Sequence, residues 1–216
     1  MGHLPSIIAT SLVGTTEKII LKTMIKNVLI FLSVAAASTS CSAEPVVDVS
    51  VDKEKATPIE VVKKSWKCQG CSPEENYVLQ QLQDKTKISD VNALATLMGN
   101  IKQESKFIPN ICEGGARVSY TKCLSGGYGL IQWTSIGRYK GLGNFAAKYG
   151  CDPSTLQCQT RYMINEPIFQ KYLPEFEGRG YSIAQYMAPA YYWLGWGIKG
   201  NREIYAYQYK EKMVWG

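Results

Sequence analysis

The sequence of 216 residues has a single histidine, His3, close to its N-terminus. Cysteine–histidine peptidases and zinc amidases need at least one histidine in the folded domain. A chain whose only histidine is residue 3 is therefore nearly excluded from both classes. Any hydrolytic chemistry would have to rely on carboxylates, with one protonated acid that is sometimes helped by a second carboxylate. We accordingly expect neither a metal ion nor a cofactor.

The sequence also has no apolar run long enough for a stable membrane span. The run from Val28 to Ala37 is far shorter than the roughly 20 residues that a membrane-spanning helix needs. Lysines precede this run and small residues follow it up to Ala43, which is typical of a secretory signal peptide. We predict a leader over residues 1–43, in which translation could start at Met24. Cleavage after Ala43 is favoured over lipidation of Cys41.

Clusters of basic residues are missing as well. The net charge is +6, and beyond the leader the only basic doublet is Lys63-Lys64. Nucleic acid is therefore not an expected partner. Residues 44–65 contain two prolines, many charges and no sustained hydrophobic period, which predicts a flexible linker. Residues 66–216 are then enough for one domain with a single core.

Seven cysteines are present, and the loss of Cys41 with the leader would leave six. An even number in an exported chain indicates disulfide bridges. The motif Cys68-Gln69-Gly70-Cys71 could instead be a redox pair or half of a zinc site. The βαβ pattern that accompanies a redox motif is not visible, which favours a bridge. Proximity along the chain favours three pairs: Cys68 with Cys71, Cys112 with Cys123, and Cys151 with Cys158.

Helical signals dominate the predicted domain. Ser72-Pro73-Glu74-Glu75 predicts a helix start with Ser72 as N-cap and Glu75 in the reciprocal capping position. Asp90 can cap a second helix, because apolar residues recur at helical spacing from Val91 to Ile101. The rise in glycine and cysteine from Pro109 to Gly129 predicts a loop or small β-ribbon. Three later segments are predicted helices: Tyr139–Tyr149, Leu156–Phe169 and Ser182–Trp193. The fold class expected from these signals is α+β and predominantly α-helical.

Glu104 is the first candidate for acid chemistry. It follows Leu97 by seven residues, so on a helix it points within about 20° of the same direction. The second predicted helix would thus carry a carboxyl group on its apolar side. Burial disfavours the charged form of a carboxyl group, so such a side chain could stay protonated and donate to a glycosidic oxygen. On position alone, a solvated surface residue is the alternative.

Two motifs resemble the phage tail lysozyme family. They are LMGNIKQESKF at Leu97–Phe107 and GYGLIQWT at Gly127–Thr134. This family is related to goose-type lysozymes and lytic transglycosylases, and the resemblance covers roughly Glu75 to Tyr209. It implies a lysozyme-like domain with a small irregular or β lobe, in which Glu104 is the general acid and the second motif lines the floor of a glycan cleft. Looser similarities occur at Arg138, Arg161–Glu166, Trp193–Trp196 and Arg202–Ala206.

The residue types in the second motif suit that role. Gly127 and Gly129 permit close approach of the backbone to a ligand. Gln132 can hydrogen-bond a sugar amide or a water molecule. Tyr128 and Trp133 can offer flat faces to sugar rings, although core packing explains these two rings equally well.

Further site residues are less sharply indicated. Glu113 is the only acid between Ser105 and Trp133, so it is the local candidate for positioning water or stabilising positive charge on the sugar. An exposed loop acid is the alternative. Helix packing explains most of a later aromatic cluster, in which Tyr191 and Tyr192 are the first candidates for stacking on sugars. The cluster consists of Tyr186, Tyr191, Tyr192, Trp193, Trp196 and Tyr205.

These observations predict an exported peptidoglycan glycan-strand hydrolase of the lysozyme type. It would cleave the β-1,4 linkage between N-acetylmuramic acid and N-acetylglucosamine, either in the periplasm, outside the cell or as part of a virion. Bacterial peptidoglycan is the expected partner, and the sequence indicates no particular protein partner. A lytic transglycosylase, in which the muramoyl 6-hydroxyl attacks instead of water, is the alternative within the enzyme class. A wall-binding module without catalysis is the alternative from another class.

Overall fold

The computed structural model of the protein describes residues 64–216. The predicted leader and nearly all of the predicted linker lie outside these residues. The described part contains seven α-helices and one two-stranded antiparallel sheet, which confirms the prediction of a predominantly α-helical α+β fold. The elements are β1 (Trp66–Cys68), α1 (Pro73–Lys85), α2 (Val91–Ser105), α3 (Ile136–Tyr149), α4 (Leu156–Asn165), α5 (Pro167–Phe176), α6 (Ile183–Leu194), α7 (Arg202–Lys212) and β2 (Met213–Trp215), with a short 3-10 helix at Tyr120–Lys122.

The two predicted helix starts are confirmed. The Ser72 hydroxyl accepts a hydrogen bond from the Glu75 amide at 3.2 Å, and the Glu75 carboxylate accepts one from the Ser72 amide at 2.7 Å. The Asp90 carboxylate accepts from the Asn92 amide at 2.7 Å and caps α2. These bonds satisfy amide groups that have no partner within the first helical turn. They fix where α1 and α2 begin.

Helix α2 lies at the centre of the domain and packs most closely against α7. Every residue from Ala93 to Ile101 is buried. A Cβ atom on Gly99 would lie 2.5 Å from the Ala206 backbone nitrogen and 2.6 Å from the Arg202 carbonyl oxygen. Only glycine therefore permits this approach of the two helices. The contact places the start of α7 beside the C-terminal half of α2.

Some elements differ from the prediction or were not predicted. The segment Leu156–Phe169 forms two helices, because Glu166 is extended at φ −65° and ψ 132° and Pro167 starts a new helix. A proline disfavours the helical conformation of the residue before it. The sequence reasoning did not predict α7 or the sheet. In that sheet β1 pairs with β2 and joins the two ends of the described chain.

The irregular lobe between α2 and α3 has the predicted character. Isolated β-bridges join Ile111 to Arg117 and Cys112 to Tyr128. The three predicted disulfide pairs, Cys68–Cys71, Cys112–Cys123 and Cys151–Cys158, are all formed, with Cα–Cα distances of 5.5, 5.6 and 5.7 Å. The CxxC cysteines are thus bridged to each other. Between residues 64 and 216, no helix combines the length and the apolar character that crossing a membrane would require.

Candidate active site

A cavity of about 820 Å³ opens beside the C-terminal end of α2. A volume of this size is typical of ligand-binding clefts. The second motif, the start of α3, the end of α6 and the loop before α7 also contribute to its walls. Its main polar and aromatic side chains are Glu104, Gln132, Arg138, Tyr192, Trp196 and Arg202.

Glu104 is the penultimate residue of α2, and its side chain is only 15% exposed. Its Oε1 atom accepts a charge-assisted hydrogen bond from Nη2 of Arg202. The next residue, Ser105, donates its hydroxyl to the Leu130 carbonyl at 2.7 Å. This bond ties the end of α2 to the second motif. Arg202 of α7 therefore holds the carboxyl group, while Ser105 fixes the helix end that carries it.

Arg202 is buried, with 7% of its side chain exposed. Nη1 donates to the carbonyl oxygens of Ile198 at 2.8 Å and Lys199 at 2.9 Å. The guanidinium group lies over the Trp196 ring, 4.7 Å from its centroid. Hydrogen bonds and the cation–π contact together fix the plane of the guanidinium. Arg202 thus presents a rigid cationic surface to Glu104.

A second ion pair builds another part of the cavity wall. Arg138 forms a bidentate pair with Glu166, with N–O distances of 2.6 and 2.7 Å. Glu166 is almost fully buried, and Arg138 also donates to the Leu194 carbonyl at 3.4 Å. The pair connects α3, the α4–α5 junction and the end of α6. Glu166 is paired with Arg138 and does not line the cavity. Glu104 is the one acid among the described residues that do.

Left-handed backbone conformations occur at the site and next to it. Among residues 64–216, three residues other than glycine have positive φ: Lys106 at 53°, Phe107 at 63° and Gln132 at 52°. Lys106 is the C-cap of the helix that carries Glu104, and a left-handed residue is a common way for a helix to end. Gln132 is the one of the three that lines the cavity, and such a conformation costs on the order of 1–3 kcal/mol.

The aromatic residues of the second motif lie beneath the cavity surface. Tyr128 and Trp133 are fully buried. The Tyr128 hydroxyl donates to the Val118 carbonyl at 3.1 Å, and the Trp133 ring packs 5.4 Å from the Tyr162 ring. Burial raises the pKa of Tyr162 to about 12. Both motif rings support the floor from the core side, and neither presents a face to solvent.

The two motif glycines make room for protein side chains. A Cβ atom on Gly127 would lie 2.9 Å from Cβ of Gln132, and one on Gly129 would lie 2.4 Å from Oε1 of Gln159. Gly129 also has φ of 74°. The same Gln159 oxygen accepts from the Leu130 amide at 2.7 Å, and the Gln132 amide donates to the Gly129 carbonyl at 3.0 Å. These contacts fix Gln132 in the cavity wall.

Glu113 lies in the irregular lobe and is not one of the residues that line the cavity with Glu104. Its side chain is exposed, and Oε2 accepts a hydrogen bond from the Gly127 amide at 2.9 Å. Its own amide donates to the Gly127 carbonyl at 2.8 Å. In this position Glu113 connects the lobe to the start of the second motif.

The predicted aromatic cluster divides into a core part and an exposed part. Tyr191 and Tyr192 are 47% and 58% exposed, and Tyr192 lines the cavity. Tyr192 stacks on Tyr172 with ring centroids 5.7 Å apart, and Tyr191 contacts Trp196 at 5.3 Å. An aromatic rim thus borders the cleft. Tyr186 and Trp193 are buried in the core, and Tyr205 is half-buried.

Sequence reasoning gave neither Arg202 nor Trp196 a catalytic role, although Arg202 contacts Glu104 and Trp196 lines the same cavity. Both belong to looser family similarities, and Trp196 also belongs to the predicted aromatic cluster. A sequence signal does exist, since Arg202, Ala206 and Tyr209 follow helical spacing and are the buried residues of α7. Polar and charged residues make up most of the rest of that helix, so its buried face was not recognised.

The described residues thus form a helical domain whose cleft holds one partly buried carboxyl group. A family model described as phage tail lysozyme matches residues 74–187, more than half of the chain. The chain therefore belongs to the phage tail lysozyme family. It is a lysozyme-like enzyme that degrades the bacterial cell wall, with peptidoglycan as its substrate.

The matched range includes Glu104 and the whole second motif, but it ends before Trp196 and Arg202. No curated protein and no solved structure matches the chain. Family membership and the three disulfide bridges both indicate an exported protein.

Proposed function

We propose that the protein is a muramidase that cleaves the β-1,4 linkage between N-acetylmuramic acid and N-acetylglucosamine, with Glu104 as the general acid. The supporting observation is that, among the described residues, Glu104 is the one acid lining a cavity built from both family motifs. Its position at the end of a buried helix gives the carboxyl group a fixed direction. The first requirement for a general acid is that its carboxyl group is correctly placed relative to the substrate, and its pKa is the second requirement.

The rest of the cleft suits a chain of N-acetylated sugars. Tyr192 and Trp196 provide aromatic surface on which sugar rings can stack. Gln132, Thr134 and Ser135 line the same cavity and carry amide and hydroxyl groups for hydrogen bonds to sugar substituents. Mixed aromatic and polar linings of this kind fix the orientation of a bound ligand.

In the proposed reaction, Glu104 transfers its proton to the glycosidic oxygen while the bond from that oxygen to C1 of the muramoyl residue breaks. Positive charge develops on the muramoyl ring, as in other glycosidases. The resulting Glu104 carboxylate then accepts a proton from the attacking nucleophile, which restores the acid. With one acid in the cavity wall, the nucleophile is either water or the 6-hydroxyl of the same muramoyl residue. Glu113 is not assigned a proton-transfer step, because its carboxylate is bonded to the Gly127 amide.

Fragments released from purified peptidoglycan test this function. The turbidity of a wall suspension should fall, and mass spectrometry should find soluble fragments that end in N-acetylmuramic acid. Attack by water gives reducing ends, whereas attack by the 6-hydroxyl gives 1,6-anhydro ends that are lighter by one water molecule. Fragments that end in reducing N-acetylglucosamine, or free stem peptides, would contradict the proposal. Sedimentation with the wall without any release would instead indicate a binding module.

A further inference from the structure

We propose that Arg202 is a positioning residue that holds Oε1 of Glu104 and thereby makes Oε2 the oxygen that delivers the proton. The inference deepens the proposed function and rests on it. Nη2 of Arg202 contacts Oε1 alone. No residue between 64 and 216 donates a hydrogen bond to Oε2. Since guanidinium groups only donate hydrogen bonds, the oxygen that Arg202 holds remains an acceptor and the acidic proton resides on the other oxygen.

Arg202 is fixed firmly enough to have this effect. Its other terminal nitrogen is bonded to two loop carbonyls, those of Ile198 and Lys199. Trp196 covers the face of the guanidinium. The helix that carries Arg202 is itself pressed against α2 at Gly99. The guanidinium group and the backbone of Arg202 are thus both fixed. The hydrogen bond from this immobile group restricts the Glu104 side chain to the rotamer in which Oε1 can accept it.

The contact stabilises the charge that develops during proton transfer. As the proton leaves Oε2, negative charge develops on the carboxyl group, and a prearranged charge-assisted hydrogen bond stabilises it. The bond contributes most in the transition state, so removal of Arg202 should lower kcat while KM changes little. A residue that only shapes the binding cleft would instead change KM.

Other charges near the site are already engaged or point elsewhere. Arg138, which also lines the cavity, is paired with the buried Glu166. Lys199 and Glu203 are paired with each other. On the helix of Glu104 itself, the ammonium group of Lys102 lies 5.2 Å from the ring centroids of Tyr205 and Tyr209, and Lys106 is exposed. Among the described residues, Arg202 is thus the charged group in direct contact with Glu104.

The test compares kcat and KM of fragment release for the wild type, Arg202→Met, Arg202→Lys and a control, Arg179→Met. Arg179 is an exposed arginine away from the cavity, and its replacement should leave both constants unchanged. Loss of one prearranged donor typically costs about 100-fold or more in kcat. We expect a loss of that size for Arg202→Met, with KM little changed. Arg202→Lys keeps a charged donor and should recover part of the loss but not all of it, because a lysine lacks the planar fork.

The outcomes separate this inference from the proposed function. A folded Arg202→Met with wild-type kcat, or one that changes KM alone, overturns the inference. If that variant does not fold, a folded Arg202→Lys with wild-type kcat overturns it instead. If Glu104→Gln keeps full activity, the proposed function itself fails. If Glu104→Gln is inactive while both Arg202 variants behave like the wild type, only the role of Arg202 is lost.

Discussion

Gly99 is the residue at which the fold and the catalytic geometry are most directly linked. A methyl group at this position would lie 2.5 Å from the Ala206 nitrogen, 2.6 Å from the Arg202 carbonyl oxygen and 2.8 Å from Cα of Ala206. All three are backbone atoms, so no side-chain rotation relieves the overlap. Since favourable contacts lie near 3.5 Å, α7 would have to move away from α2 by roughly 1 Å.

The magnitude of the effect of Gly99→Ala follows from two opposing contributions. Overpacking a closely packed contact costs about 1–3 kcal/mol, and replacing glycine by alanine inside a helix contributes about 1 kcal/mol of stability. The free energy of unfolding should therefore fall by about 0–2 kcal/mol. Activity should fall far more, because Arg202 moves with α7, and a displacement of about 1 Å at a catalytic site can cost roughly 100-fold.

Thermal unfolding and turbidity assays on Gly99→Ala measure both effects. Gly137→Ala is the matched control, since it also replaces a helical glycine but a Cβ atom there meets no atom within 4 Å. We expect the control to be neutral or stabilising by up to about 1 kcal/mol. A Gly99→Ala protein with wild-type Tm and wild-type activity would refute the argument that this contact sets the position of Arg202.

Three further predictions concern the bridges, a buried tyrosine and the aromatic rim. Reduction of the Cys112–Cys123 and Cys151–Cys158 bridges should destabilise the domain by about 2–3 kcal/mol each. Four or more free thiols among the six cysteines of the native exported protein would contradict the three predicted disulfide pairs. Burial, and then the hydrogen bond to Glu75, raises the pKa of Tyr209. Above about pH 10 the tyrosine ionises in the unfolded chain but stays neutral in the folded protein. The free energy of unfolding should therefore decrease as the pH rises above about 10, which urea unfolding can measure. Tyr209→Phe should weaken that dependence, and an unchanged slope would argue against it. In the Glu104→Gln background, Tyr192→Ala should weaken binding to peptidoglycan by about 1 kcal/mol, or roughly fivefold. Tyr207→Ala, at a similarly exposed tyrosine outside the cavity, should bind normally in the same pull-down.

The features predicted correctly from sequence are those whose interactions are local. The capping box of Ser72 and Glu75 is complete within four residues. The seven-residue spacing of Leu97 and Glu104 was enough to place the acid on the inward side of α2. The disulfide pairs were predictable for a similar reason, because each joins cysteines at most 11 residues apart.

The features that were missed depend on contacts between distant parts of the chain. Glu104 and Arg202 are 98 residues apart, and no local pattern specifies their contact. The pairing of Trp66 with Trp215 likewise joins opposite ends of the domain. The burial of Trp133 depends on the helices that cover it, so an aromatic residue in a family motif could have faced either the ligand or the core. The helix break before Pro167 does not depend on distant contacts. Its signal is local, because a proline disfavours the helical conformation of the residue before it.

Glu104 as the proton donor is the central claim, and the rate of fragment release by Glu104→Gln tests it most directly. Glutamine keeps the shape of the acid and can still accept a hydrogen bond, but it cannot deliver a proton. The rate should fall by about 100- to 10,000-fold or more, with the circular dichroism spectrum and Tm unchanged. Glu113→Gln, at an exposed acid outside the cavity, should cost much less. Near-wild-type turnover by a correctly folded Glu104→Gln would contradict the account.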